Sequence, residues 1–278
     1  MDARPKPLAI AGANIAISMF TSLFKVMLMT HPLRIYAAGS LSRALPAVLS
    51  RYEALSGISS EVVFGPAGLL ASRILGGERP DLFLSADMQS PEKLKRGGIG
   101  LSLSPWVGNA LMLVFPRRGP AARRLDELTR GECGDQPLWL RLLLTAGLRI
   151  GTSTPHADPG GDYAQKLFDL TSRWGRQFPS ILRAKSRALV GGAVPGKGAK
   201  TVTVKEVLLS RKADVFLSYA SNAGNYPAES FRTLQIPADE NVDARYGMLL
   251  MTSRAAALTR WLESQVALRL MAEAGFRA

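Results

Sequence analysis

The 278 residues contain one cysteine and two histidines. A lone Cys133 excludes an intrachain disulfide framework and a cysteine-built metal site. His31 and His156 stand too far apart to suggest a zinc site, and His156, in STPHADPGG, reads as an exposed loop residue. No G-x-S-x-G is present, so Ser40 lacks the context of an activated nucleophile and no enzyme activity is expected. The glycine-rich GGAVPGKGAK (191–200) lacks the GxxxxGK[ST] spacing of a phosphate-cradling loop and reads as a basic surface loop. Aromatic residues make up only 7% of the chain. The net charge of +13 is carried by scattered groups such as Arg117, Arg118, Arg123, Arg124, Arg173, Arg176 and Arg187, without interleaved aromatics. That pattern excludes a recognisable nucleic-acid motif. It describes a solvated basic surface whose field steers small anions.

No uninterrupted apolar run reaches the 18 residues of a membrane span. Residues 1–30 nevertheless begin with Arg4 and Lys6 and continue through an apolar stretch from Leu8 to Phe20. This resembles the basic and apolar regions of a secretory signal, and implies a periplasmic protein. Against it stand Asn14, Lys25 and the lack of a small-x-small cleavage site. The alternative is a start at Met27 or Met29, which implies a cytoplasmic one.

What the chain does contain is a recurring device of apolar strand, small-residue turn and amphipathic helix. It occurs in LRIYAAGSLSRAL (33–45), EVVFGPAGLLASRI (61–74) and LRIGTSTPHADPGGDYAQKLF (148–168). Leu41, Leu45, Val48, Leu49 and Tyr52 share one helical face, as do Tyr163, Leu167, Leu170 and Trp174. A last helix is expected to bury Leu258, Trp261, Leu262, Val266 and Leu270. Alternating units of this kind predict an α/β protein with a largely parallel sheet, whose ligands bind beyond the carboxyl ends of the strands. The turns AAGS, GPAG and PGG carry no charged residue. Helix starts there present bare N–H groups and partial positive charge, which suits a small oxyanion held by neutral dipoles. NALMLVFPRRGP (109–120) reads as a strand crossing into a second lobe, and YGMLLMTS (246–253) as the return.

In order and spacing, YAAGSLSRAL, GPAGLLASRI–GGERPDLFLSAD, IGTSTPHADPGGDYA, ADVFLSYASNA and the closing helix ending in AGF resemble the molybdate-binding proteins of ABC transporters. The resemblance covers about residues 33–278. It implies a two-lobed, type II periplasmic-binding-protein fold with the ligand cleft between lobes: 33–114 plus 244–278, and 115–243. It implies a monomer that binds molybdate or tungstate through hydrogen bonds, without direct metal ligands or a cofactor, and docks on a membrane permease. Matched residue by residue, Ser40 supplies a hydroxyl and amide, Gly160 a backbone N–H, and Tyr219 a phenolic hydroxyl. Ala67 stands where the family has a serine, and with Gly68 it leaves only backbone donors, since Pro66 has none. A further backbone donor is expected at the helix start around Val202 and Thr203. Asp87 is expected to brace neighbouring loops. Because GPAG departs from the family's serine-rich turn, a different small anion or polar solute, or a cytosolic ligand-sensing role, stays open.

Overall fold

The computed structural model describes residues 31–131, 134–192 and 202–277. The signal-like segment 1–30, Cys133, and all of the glycine-rich loop beyond Gly192 lie outside the described residues.

In chain order the first half runs β1 (Leu33–Ala38), α1 (Leu45–Ser56), β2 (Ser60–Gly65), α2 (Ala67–Leu75), β3 (Leu82–Ser85), α3 (Gln89–Arg96), β4 (Ser102–Asn109) and β5 (Leu111–Pro116). There follow α4 (Pro120–Arg130), α5 (Leu138–Leu144), β6 (Ile150–Ser153), α6 (Pro159–Leu170), α7 (Phe178–Lys185) and β7 (Ser186–Val190). The chain ends with α8 (Val204–Leu209), β8 (Val215–Tyr219), β9 (Phe231–Gln235), β10 (Ala244–Leu250), α9 (Ala256–Leu262) and α10 (Gln265–Glu273).

The strands form two five-stranded sheets, β2-β1-β3-β10-β4 and β7-β6-β8-β5-β9, one in each lobe of an α/β fold. Each sheet has a parallel centre, β2-β1-β3 in one and β7-β6-β8 in the other. Neither is parallel throughout. β10 is antiparallel to β3 and β4, and β5 is antiparallel to β8 and β9. The reason is topological: these strands carry the crossings between lobes directly, without the helix that a parallel return requires. The first crossing is at Ala110, between β4 and β5. Leu111–Pro116 therefore joins the second sheet, whereas the sequence placed the boundary after residue 114.

Local chemistry explains the helices. Leu45, Val48, Leu49 and Tyr52 of α1 are buried, as their spacing predicts. The helix stops at Gly57, whose φ of 72° suits glycine and whose N–H donates to the Glu53 carbonyl (2.8 Å). The closing helix is in fact two. Ser264 breaks it and caps α10 by accepting from the Ala267 N–H (3.3 Å). The face is rotated as a result: Leu258, Leu262, Ala267 and Met271 are buried, while Val266 is exposed.

The two sheets start from matching braces. Asp81, just before β3, accepts from the Arg34 backbone N–H (3.0 Å). Asp214, just before β8, accepts from the Arg149 backbone N–H (2.9 Å) and from its guanidinium (2.9 Å). Both carboxylates are buried, and both align a parallel strand pair whose far end opens on the same cleft. No helix among the described residues is long and apolar enough to cross a membrane.

Candidate functional site

The carboxyl ends of β1, β2, β6 and β8 converge on a cavity of about 550 Å³ between the sheets. Ser40, Ala67, Gly160, Val202, Thr203 and Tyr219 line it, so six of the seven sequence-predicted residues come together. Gly68 does not. It faces the other lobe, where a Cβ would lie 2.7 Å from the His156 carbonyl oxygen and 2.9 Å from that of Ala157. His156 itself is exposed, as its loop position predicts.

Ser40 sits in the single 3-10 turn Gly39–Leu41 that follows β1, with its Oγ 2.7 Å from the Tyr246 hydroxyl. Pro66 and Ala67 open α2 without any side-chain cap, so the first N–H groups of that helix have no intrahelical acceptor. Tyr219 ends β8 with its ring against those of Tyr163 and Tyr246. It is 6% exposed, and its hydroxyl is the one buried side-chain polar atom without a hydrogen-bond partner among the described residues. Burial holds that phenol well above its ordinary pKa, so it is a neutral O–H donor.

Two backbone donors expected for the ligand are committed within the protein. The Gly160 N–H donates to Asp158 Oδ1 (3.0 Å), because Asp158 caps α6. The Thr203 N–H donates to Glu206 Oε2 (2.8 Å) while Thr203 Oγ1 accepts from the Glu206 N–H (3.2 Å), a reciprocal capping box on α8. Gly160 and Gly161 have a steric role as well. A Cβ on Gly160 would lie 3.2 Å from Ser153 Oγ, and one on Gly161 would lie 2.5 Å from the Pro155 nitrogen. The pair lets α6 start hard against the end of β6.

Sequence reasoning missed Asp158. The PGG turn is uncharged, but the residue before it brings a carboxylate to the cavity lining. Burial raises its pKa, with the Gly160 N–H and the Ser153 hydroxyl opposing that shift. A helix-capping Asp immediately before Pro-Gly-Gly was the available signal. Asp87, also acidic and nearby, accepts from Ser85 Oγ (2.9 Å), the Ser90 N–H (2.9 Å) and Ser90 Oγ (3.0 Å), bracing the start of α3 as expected. Arg73 and Lys205 also line the cavity. Arg73 is tied to Glu78 (2.7 Å), which with Tyr36 draws the Glu78 carboxyl down to about 2. Among the described residues no group of three or more His, Cys, Asp or Glu could hold a metal ion.

Ser40 and the start of α2 from one lobe and Tyr219 from the other thus bring uncharged polar groups to the cavity, beside the charged Asp158, Arg73 and Lys205. Three comparisons bear on this. A Pasteurella multocida protein named as uncharacterized protein PM1146 is 34% identical over 236 residues, covering 81% of this chain and 90% of that one. The molybdate-binding protein ModA of Escherichia coli is 23% identical over 236 residues, covering 78% and 88%. The sulfate-binding protein SubI of Mycobacterium tuberculosis, at 16% identity, superposes with a TM-score of 0.68 over 88% of this chain and 86% of that one, a likeness of fold. Residues 33–277 match the family described as bacterial extracellular solute-binding protein, and the chain belongs to that family.

Proposed function

We propose that this chain captures a tetrahedral oxyanion, molybdate or tungstate, outside the cytoplasm and delivers it as a monomer to an ABC permease. The observation that carries the reading is the Tyr219 hydroxyl, buried and unpartnered at a cavity it shares with Ser40 and the uncapped start of α2. An O–H in that position needs an acceptor, and hydrogen bonds to a charged acceptor contribute about 1.5–3 kcal/mol each. The ModA relative supports molybdate as the anion, and the opening strand-turn-helix motifs support the same class. Ser40 acts as a donor here and not as a nucleophile. The Asn109–Leu111 and Ile236–Ala244 segments form the hinge. The Asn241 side chain ties them together, accepting from the Leu111 N–H (3.1 Å) and donating to the Leu111 carbonyl (2.7 Å).

A second reading rests on size. The lobes already meet where Gly68 faces His156, and the Tyr163 hydroxyl donates to the Arg245 carbonyl (3.4 Å), yet the cavity holds about 550 Å³. Phe64, Leu69, Val190 and Val202 contribute apolar surface to its lining. That volume lies in the range of small organic ligands. An organic anion with a short carbon body therefore competes with a bare oxyanion.

Calorimetric titration of the purified chain separates the two. Molybdate, tungstate, sulfate, phosphate and a set of short hydroxycarboxylates and phosphate esters are the probes. Sub-micromolar binding of molybdate and tungstate, but not sulfate, supports the first reading. Binding confined to the organic anions replaces it with the second. Heat from none of them overturns both.

A further inference from the structure

Behind Ser40 lies a chain of hydrogen bonds that runs to the hinge. Asn109, 1% exposed, is the last residue of β4 before the crossing at Ala110. Its Oδ1 accepts from two backbone N–H groups, those of Ala110 (2.9 Å) and Ser221 (3.3 Å). Backbone N–H groups only donate, so the atom facing them is oxygen and the amide cannot be turned the other way. Nδ2 is thereby aimed at Ser221 Oγ (2.8 Å) and at the Tyr246 hydroxyl (3.1 Å).

The rest follows from counting protons. Tyr246, fully buried on β10, accepts from Asn109, so its own proton is directed to its other neighbour, Ser40 Oγ, 2.7 Å away. Ser40 accepts that proton and has its own left over, on an oxygen that lines the cavity. We infer that Asn109 is a positioning residue whose fixed amide, transmitted through the Tyr246 hydroxyl, leaves Ser40 as a hydrogen-bond donor toward the ligand, making the cleft select for acceptor-only anions. This rests on the anion-binding reading above. It also links site and hinge. The same Asn109 amide holds Ser221 in the turn after β8, and the Arg277 guanidinium donates to its backbone carbonyl. The group that sets the proton direction at Ser40 thus joins a strand of one lobe to a turn of the other.

Asn109→Asp preserves shape and reverses the relay. The introduced carboxylate still accepts from Ala110 and Ser221, but its second oxygen now takes the Tyr246 proton. Tyr246 then accepts from Ser40, and Ser40 faces the cavity with lone pairs only. Tyr246→Phe instead releases Ser40 from any partner, and its proton is free to turn to the anion.

The test titrates molybdate into the full chain and its N109D, Y246F and N109D/Y246F variants. Expected is a rise in Kd of about tenfold or more for N109D, a change within about threefold for Y246F, and recovery of most of the loss in the double variant. A Y246F loss as large as that of N109D, or a double variant no tighter than N109D, overturns the relay, since a merely structural pair gives no rescue. Failure of the wild-type chain to bind molybdate overturns the oxyanion reading instead. The relay is then judged in the ligand-free protein. Neutron diffraction that places the Tyr246 hydroxyl hydrogen toward Ser40 Oγ supports it, and a hydrogen placed toward the Asn109 side chain overturns it.

Discussion

Gly68 and His156 belong to opposite lobes and touch: a Cβ on Gly68 would stand 2.7 Å from the His156 carbonyl oxygen. No real side chain tolerates that distance to backbone, and the contact is between lobes rather than within a core. The strain of an added methyl is therefore relieved by the lobes parting. Gly68→Ala is expected to leave the melting temperature nearly unchanged, enlarge the radius of gyration seen in solution scattering, and weaken ligand binding by about tenfold as the closed state loses population. Unaltered scattering and affinity would show that the loop at His156 yields instead.

Tyr219 gives a prediction with two opposite signs. Its buried hydroxyl has no partner, and leaving such a group unsatisfied costs about 1–3 kcal/mol. Tyr219→Phe removes that cost, so the ligand-free protein is expected to melt a few degrees higher, at roughly 2–4 °C per kcal/mol for a chain of this size. Ligand affinity is expected to fall by about tenfold or more in the same variant. A tyrosine that served only packing would raise the melting temperature in the same way but leave the affinity unchanged.

The fold was largely readable in the sequence because its signals are local. Gly57 as a helix stop, the apolar face of Leu45, Val48, Leu49 and Tyr52, and the small-residue turns each follow from backbone rules acting over a few residues. The antiparallel β5 and β10 were not readable. Their direction depends on which sheet they join, and nothing in the few residues around Ala110 fixes that choice. The site shows the same division. Ser40 and Tyr219 came from the family resemblance carried by AAGSLS and LSYAS, while Tyr246 and Asn109 lie 206 and 69 positions from Ser40 and carry no motif. Gly68 looked like a ligand donor because it sits in the right turn. Its direction toward His156 is set by the approach of the second lobe.

Asp158 ties the cleft to pH. Burial raises its carboxyl pKa; the Gly160 N–H and Ser153 hydroxyl pull it down, and the charges of Asp162 and Asp87 add to the rise. Arg73, already paired with Glu78, and Lys205 are the cations that share the cavity lining. An ionised Asp158 repels an anion and a protonated one does not. Anion affinity is expected to strengthen as pH falls through the raised Asp158 pKa, and to level off below it. Asp158→Asn keeps an acceptor for the Gly160 N–H and is as good a helix cap. It should bind the anion more tightly at neutral pH and lose this pH dependence, which titration at several pH values reads directly. An unchanged pH profile would assign the dependence to another group.

Asp214 carries the complementary acid-sensitive contribution, now to stability. Its carboxylate is 6% exposed; burial alone would raise its pKa, but the Arg149 guanidinium and backbone N–H outweigh that and lower it. A depressed carboxyl pKa contributes stability that is present above its unfolded value and lost as pH falls through the folded one. The bond from the Arg149 N–H also sets the start of the β6–β8 pair, so the loss is structural and not only ionic. Asp214→Asn keeps one acceptor but gives up the charge and the paired guanidinium contact. It is expected to cost about 1–3 kcal/mol at neutral pH. Denaturant unfolding followed across pH provides the check. The variant's deficit should shrink as pH is lowered below the usual carboxylate range, because the wild type loses there what the variant has already given up. A deficit independent of pH would place the effect in packing around the backbone bond rather than in the ion pair.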